Sequence, residues 1–294
     1  MRFCFIAQDV TFSGAPGFIN GATVTFWHLT HTLEGMGHKA VLHELGIPLP
    51  ESDVYVIQSE WYEKHKDELK EKQLQGRKVV VWLGHFKGGV YFDPTKIEAD
   101  VFYTTWTGPI VDEWKKKTGK QLHFIPHAYC TFCDSGESVP APKILWIGNT
   151  YALREESWLK GIDVVGMKNI HPKRISDLYR GAMVCPNIHG DFQKGAVSND
   201  PSSISDDPGM ALNERFFQII GSGGFMVCDY NPHMYDFFDE SELVTGITKE
   251  EFQEKVQYFI SNHMKRHAFI KKWVGKIRES HTYEHRLKNL IELL

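Results

Sequence analysis

Asn213-Glu214-Arg215-Phe216-Phe217-Gln218-Ile219-Ile220-Gly221-Ser222-Gly223-Gly224-Phe225-Met226-Val227-Cys228-Asp229 reads as a short helix that stops at glycines and runs into a buried strand. A helix start presents unpaired backbone N–H groups and a partial positive charge, which suits a phosphate-bearing ligand. Arg215 adds a permanently charged planar fork near that end. Gly221, Gly223 and Gly224 allow a left-handed helix cap and close packing of helix against strand. The same pattern also serves as an ordinary helix-to-strand connection, so the rest of the chain has to discriminate.

On either side of this stretch, strands and helices alternate. Phe3–Ala7 is a continuous apolar run, as expected of a strand covered on both faces in a parallel sheet. Ala22, Phe26, Leu29, Leu33 and Met36 recur at helical spacing. Lys39–His43, Asp53–Ile57, Lys78–Leu83, Asp100–Thr104 and Gln121–Ile125 are predicted strands, with helical stretches Trp61–Gln73 and Pro109–Thr118 between them. Ser, Gly, Glu and Pro gather between 134 and 142, and the pattern then restarts with predicted strands at Lys143–Ile147, Ile162–Val165, Met183–Cys185 and Phe225–Cys228. Helices from Glu250 and over Tyr283–Leu294 close the chain. The expected fold class is α/β, with two doubly wound Rossmann-like domains, residues 1–136 and 143–294, facing across a cleft.

Composition narrows the function. The chain has 294 residues, 42% hydrophobic and 24% charged, with a formal net charge of −4, so no global basic field advertises nucleic acid. No run of 18 apolar residues occurs, and the first residues are too short for a secretory leader core. A cytoplasmic protein is expected. Cys4, Cys185 and Cys228 lie in apolar runs, where a thiol behaves as a small hydrophobe. Cys130 and Cys133 form a C-x-x-C without the further ligands a zinc site needs, and read as incidental thiols. The pair Asp206-Asp207, followed by Pro208, reads as a helix N-cap with proline at the first helical position.

The second half resembles the group 1 glycosyltransferases of GT-B fold, in particular the subset related to the spore-coat protein CgeB. The resemblance rests on Ile144-Leu145-Trp146-Ile147-Gly148-Asn149 with Arg154 downstream, Leu178-Tyr179-Arg180-Gly181-Ala182, Asn187-Ile188-His189, and the opening stretch from Asn213 to Gly224. His281-Thr282-Tyr283 with Arg286 completes it, and the order of the pieces also matches. The first half is similar more loosely, through Gly35–Val41, Val81–His85 and Ile125–Ala128. The resemblance implies transfer of a sugar from a nucleotide-diphosphate sugar to a hydroxyl acceptor, with no cofactor and no catalytic metal. The donor would lie on the second domain and the acceptor on the first.

Candidate residues follow. A departing nucleoside diphosphate needs cations and N–H donors facing it, which selects Arg215, Arg154, Lys160 and the backbone around Asn213; Arg154 and Lys160 read equally well as solvated charges. Gly148, Asn149, Asn187, His189, Glu214 and Gln218 complete the donor set on the second domain, and Asn20-Gly21 suits a phosphate or sugar contact on the first. Many family members carry E-x₇-E, whose second glutamate holds the ribose hydroxyls. Met210 and Gln218 stand at those positions here, so ribose binding falls to a neutral amide, or to Glu214 one turn earlier. His85, at a strand end, is the candidate contact to the transferred sugar or base for the acceptor hydroxyl, and Asp9 is a second candidate base. A sugar-nucleotide epimerase and a non-catalytic nucleotide-sugar-binding protein remain alternative readings. So does a hydroxylated DNA base as acceptor, of the bacteriophage type, because the tail holds Lys265, Arg266, Lys271, Lys272, Lys276 and Arg278.

Overall fold

The computed structural model describes residues 1–13, 21–84, 94–148, 153–189 and 211–294, without the side chains of 109–110 and 153–155. These residues form two compact units, Met1–His127 with Tyr283–Leu294, and Ala128–Thr282. The division expected between 136 and 143 therefore lies earlier, and the last helix belongs with the first unit. The polar segment reads as a linker but is fastened to the second unit. Tyr129 is fully buried there and donates its N–H to the His281 carbonyl at 3.0 Å. Asp134 is gripped by Arg180 and, at 2.7 Å, by Arg278.

In the first unit, β1 (Arg2–Ala7), β2 (Lys39–Glu44), β3 (Val54–Gln58), β4 (Lys78–Leu83), β5 (Val101–Thr104) and β6 (His123–Phe124) form one parallel sheet in the order β2-β1-β3-β4-β5-β6. The apolar runs of β1, β3 and β4 are buried along nearly their whole length, which is why they read as unbroken hydrophobic stretches. Helices α1 (Gly21–Gly35), α2 (Lys66–Leu74) and α3 (Pro109–Thr118) supply crossovers. Strand order reverses between β1 and β3, so the loops after these strands flank the sheet's ligand-binding edge.

Helix α1 is buried on more than the predicted stripe, because the last helix, Tyr283–Ile291 (α9), packs on it. His28 of α1 stacks on Tyr283 with ring centroids 6.0 Å apart. Burial, with a smaller effect of His31, pushes the His28 pKa down to about 3. The unfolded chain takes up this proton below about pH 6.5, whereas the folded chain refuses it until about 3. The stabilisation is therefore complete above pH 6.5 and shrinks as pH falls. His127, also lowered to about 4 by burial and then by Arg286, acts in the same sense. Glu60, raised to about 7 by burial, acts oppositely. His28 alone should account for roughly 2 kcal/mol of lost stability at pH 5 relative to pH 7.5. His28→Phe, which keeps a ring against Tyr283, is expected to narrow the gap in Tm between those pH values. An unchanged gap would exonerate His28.

In the second unit, β7 (Leu145–Ile147), α4 (Leu153–Leu159), β8 (Val165–Met167), α5 (Pro172–Gly181), β9 (Cys185–Asn187), α6 (Glu214–Ser222), β10 (Met226–Asp229) and β11 (Thr245–Gly246) precede α7 (Lys249–Ser261) and α8 (His263–Ser280). All of these strand pairs are parallel. The pair β7-β8 joins the sheet β11-β10-β9 through a bridge between Ile144 and Val184, giving the order β8-β7-β9-β10-β11. Here the order reverses between β7 and β9. The predicted stop of α6 is realised: Gly223 caps the helix at φ 85°. A Cβ on Gly221 would lie 2.2 Å from the Tyr129 ring, and one on Gly224 3.0 Å from the Ile219 carbonyl oxygen.

Cys130 and Cys133 are joined to each other as a disulfide, contrary to the expectation of incidental thiols. A 3-10 turn over Thr131–Cys133 brings their Cα atoms to 5.5 Å, within bridging range. The other three cysteines are buried free thiols, as expected. Among the described residues, no helix is long and apolar enough to cross a membrane.

Candidate active site

The second unit gathers charge and donors at the point where its strand order reverses. Asn213 caps α6, its side-chain oxygen accepting from the Phe216 N–H at 3.0 Å, while its amide nitrogen donates to the Ile188 carbonyl at 3.3 Å. The start of α6 is thereby fastened to the end of β9. Arg215, in the first turn, spans the reversal: Nε donates to the Ile147 carbonyl of β7 at 3.1 Å, and Nη1 reaches Asn187 Oδ1 of β9 at 3.5 Å. Its guanidinium lies 3.8 Å from the centroid of the Trp146 ring. A Cβ at Gly148, where φ is 122°, would come within 3.0 Å of Nη2, so the glycine leaves room for the fork. The Tyr179 phenol, raised in pKa chiefly by burial, has the Arg215 charge nearby, which acts in the opposite direction. Arg215 is a cation fixed by the fold, and its five N–H groups exceed what these contacts consume.

His189 continues the same strand end. Its Nδ1 lies 2.7 Å from Asp229 Oδ1 at the end of β10, and its backbone N–H is 3.1 Å from each oxygen of that carboxylate. Both residues are buried. Cys228 Sγ approaches Nδ1 at 3.9 Å, so His189, Cys228 and Asp229 bring ligand atoms within 4.8 Å of one another, a grouping able to hold a metal ion. The 2.7 Å contact and the Asn187 amide donating to Cys228 at 3.4 Å make it a hydrogen-bonded cluster as it stands.

The structure thus brings together Gly148, Asn187, His189, Asn213 and Arg215 of the expected donor set. Glu214 is the first residue of α6, half-buried. Gln218 faces inward instead, buried, with Nε2 donating to the Ala128 carbonyl at 3.2 Å. Lys160 is exposed just past the C-terminal end of α4, about 10 Å along the axis from that helix's start. Arg154 lies in α4, but its side chain is outside the description, and Asn20, His85, Asn149 and the Asp206-Asp207 pair lie outside the described residues. Trp146 and Asp229 lie in stretches quoted from the sequence but were not singled out there as site residues. Their sole signal was position, at or near the ends of strands flanking the reversal.

On the first unit, Gly21 opens α1. Asp9 is buried after β1, and its Oδ1 accepts from Thr11 Oγ1, Ser13 N and Ser13 Oγ at 3.1, 3.1 and 2.8 Å. These bonds fold the loop, so the carboxylate expected as a second base is engaged in loop structure. Of the six tail cations, four pair with carboxylates or bond backbone carbonyls within the second unit. Lys272 and Lys276 pair with Glu242, Arg278 with Asp134, and Arg266 donates to the Phe259 and Ile260 carbonyls.

Two Rossmann-like units, each with a reversal of strand order in a parallel sheet, are the architecture of the GT-B glycosyltransferases. The chain belongs to the glycosyl transferase-like family, whose model matches residues 115–292. Its fold is similar to that of sucrose-phosphate synthase from Thermosynechococcus elongatus (TM-score 0.60, 9% identity, covering 100% of this chain and 98% of that one). It is likewise similar to the T4 phage BGT captured with its UDP-glucose substrate (TM-score 0.60, 11% identity, 99% and 100% covered). A third neighbour is Alr3699/HepE of Anabaena in complex with UDP-glucose (TM-score 0.55, 9% identity, 100% of both chains covered). No curated protein matches the sequence.

Proposed function

We propose that the chain holds the diphosphate of a nucleotide sugar at the start of α6, beside Arg215, and passes the sugar to a hydroxyl acceptor. The carrying observation is that Arg215 is fixed across the strand reversal by Ile147, Asn187 and Trp146. As the glycosidic C–O bond breaks, negative charge grows on the leaving diphosphate. A guanidinium already in place and the first N–H groups of α6 stabilise that charge without reorganising. Gly148 keeps the approach open, and His189 lines the same strand end. This arrangement provides the positive charge itself, in keeping with a reaction that needs no metal; turnover retained in EDTA is the corresponding outcome, although the T4 phage BGT has also been captured with UDP and Mn2+. His85 is the proposed group on the acceptor side. A cytoplasmic setting fits the same reading.

UDP-glucose heads the donors to try, since two of the neighbours hold it. A further neighbour is a DNA-modifying beta-glucosyltransferase, so hydroxylated DNA belongs among the acceptors tried beside sugars and small molecules. Three of the tail cations, Lys272, Lys276 and Arg278, are paired with carboxylates, which weighs against a dedicated strip for a phosphate backbone. The test is a thermal-shift screen of nucleotide sugars and nucleoside diphosphates, followed by transfer assays with the binders. A ligand at 100 times its Kd stabilises by about 2.7 kcal/mol, enough for roughly 5–10 °C. A flat screen across all nucleotides would remove the reading.

A further inference from the structure

We propose that the first unit binds a neutral polyhydroxylated compound, a sugar, on a row of three side chains, Gln58, Trp82 and Tyr103, at the carboxyl end of its sheet. The compound's role as acceptor rests on the sugar-transfer reading, whereas the site stands on the first unit's own geometry.

The three residues form one line across the sheet. Gln58 of β3 pairs with Trp82 of β4, which pairs with Tyr103 of β5. Paired residues of neighbouring strands project from the same face, and the Trp82 and Tyr103 rings stack with centroids 6.2 Å apart and 8° between their planes. Gln58 is the last residue of β3, and the other two are next to last in β4 and β5. In an open parallel sheet this is the edge at which ligands bind, and here it adjoins the reversal between β1 and β3. The edge is shaped to admit Gln58: a Cβ on Gly84 would stand 2.7 Å from its Nε2. Trp106 Nε1 donates to the Gly84 carbonyl at 2.8 Å and Thr104 Oγ1 to that of Leu83 at 2.9 Å, so the end of β4 is held in place.

Each member buries a polar atom that no described residue satisfies. Gln58 and Trp82 are 5% exposed and Tyr103 4%. Gln58 Oε1, Trp82 Nε1 and the Tyr103 hydroxyl have no hydrogen-bond partner among the described residues. Orphaned buried polar atoms are rare in a folded chain, and three in one register-aligned line point to a ligand that supplies the missing partners. Their chemistry specifies it. Gln58 Oε1 only accepts, Trp82 Nε1 only donates, and the Tyr103 hydroxyl does either. A hydroxyl group donates and accepts at once, so a compound carrying several answers all three. An apolar compound answers none. An anion could not satisfy Gln58 Oε1, and the row holds no cation to offset the loss of the anion's hydration. Burial raises the Tyr103 pKa, so the phenol stays neutral.

The experiment follows the Trp82 indole N–H of the isotope-labelled full chain by NMR, assigned among the 8 tryptophans with Trp82→Phe. Glucose, galactose, mannose, maltose and sucrose are titrated without and with UDP, and glucose 6-phosphate serves as the anionic comparison. At least one neutral sugar should shift the Trp82 signal downfield and saturably, with glucose 6-phosphate leaving it in place. Gln58→Leu and Tyr103→Phe should bind that sugar roughly 3- to 10-fold more weakly. Without sugar, both should match or exceed the parent in Tm, because each removes an unpaired buried polar atom. If none of the five sugars moves the signal, or glucose 6-phosphate moves it equally, the inference is overturned. Either variant melting below the parent would show that the row is satisfied within the protein, which overturns it as well. Nucleotide binding without a sugar response removes this site and leaves the diphosphate site standing; a sugar response with no nucleotide bound does the reverse.

Discussion

Arg215→Ala is expected to weaken nucleoside-diphosphate binding by roughly 10- to 100-fold, the loss that follows when a charge-assisted contact worth about 1.5–3 kcal/mol is removed. The size of the effect comes from preorganisation. Most surface arginines must be ordered before they grip an anion, at a cost in rotamer freedom. Here the Ile147 carbonyl, Asn187 and the Trp146 ring have already fixed the fork. Because Arg215 also ties β7 to β9, the alanine variant should lose some stability, and affinity must be compared well below both melting temperatures. Arg215→Lys separates charge from geometry. Lysine keeps the cation but cannot form the fork while lying flat on the indole, so an intermediate loss is expected. Unchanged affinity in the alanine variant would mean that the arginine serves only to staple the two strands.

Gly221→Ala should destabilise the second unit by about 1–3 kcal/mol, even though alanine ordinarily improves a helix by about 1 kcal/mol over glycine. The sign reverses because the added carbon would stand 2.2 Å from Cγ of Tyr129 and 2.5–2.6 Å from two further ring atoms. The ring has little room to retreat. It is fully buried, its residue is bridged to Thr282, and its face carries the Arg278 guanidinium at 5.6 Å. A fall of several degrees in Tm is expected for a unit of this size. As an internal control, the same substitution at Gly37, where a Cβ would meet nothing within 4 Å but φ is 87°, tests backbone strain without a clash. A Gly221→Ala variant as stable as the parent would show that Tyr129 moves freely.

Much of the fold was legible because parallel strands covered on both faces leave continuous apolar runs, as in β1, β3 and β4. The signal failed where that cover is missing. The strand expected at Ile162–Val165 is found at Val165–Met167, an edge strand whose first residue is 43% exposed. The strand expected at Met183–Cys185 runs over Cys185–Asn187, since pairing with β10 draws a polar residue into the ladder. The break between α7 and α8 at Asn262 leaves no mark in the apolar stripe, which continues through it. At the site, Arg215 and Asn213 could be read because a helix start with a cation is a local pattern. The bond between His189 and Asp229 spans forty positions, and only the sheet brings the two together. The membership of α9 was hidden for a related reason: an amphipathic helix announces that it has a partner without saying which one.

That membership has a consequence for biosynthesis. Residues 128–282 form an uninterrupted segment, whereas the first unit needs Tyr283, Leu287 and Leu290, all buried, and Arg286, which reaches back to the Pro126 carbonyl. On a translating ribosome residues 128–282 can therefore finish folding while the unit begun before them still waits for the helix made after them. A stop just before codon 283 would leave the unit begun earlier incomplete and spare the one made after it.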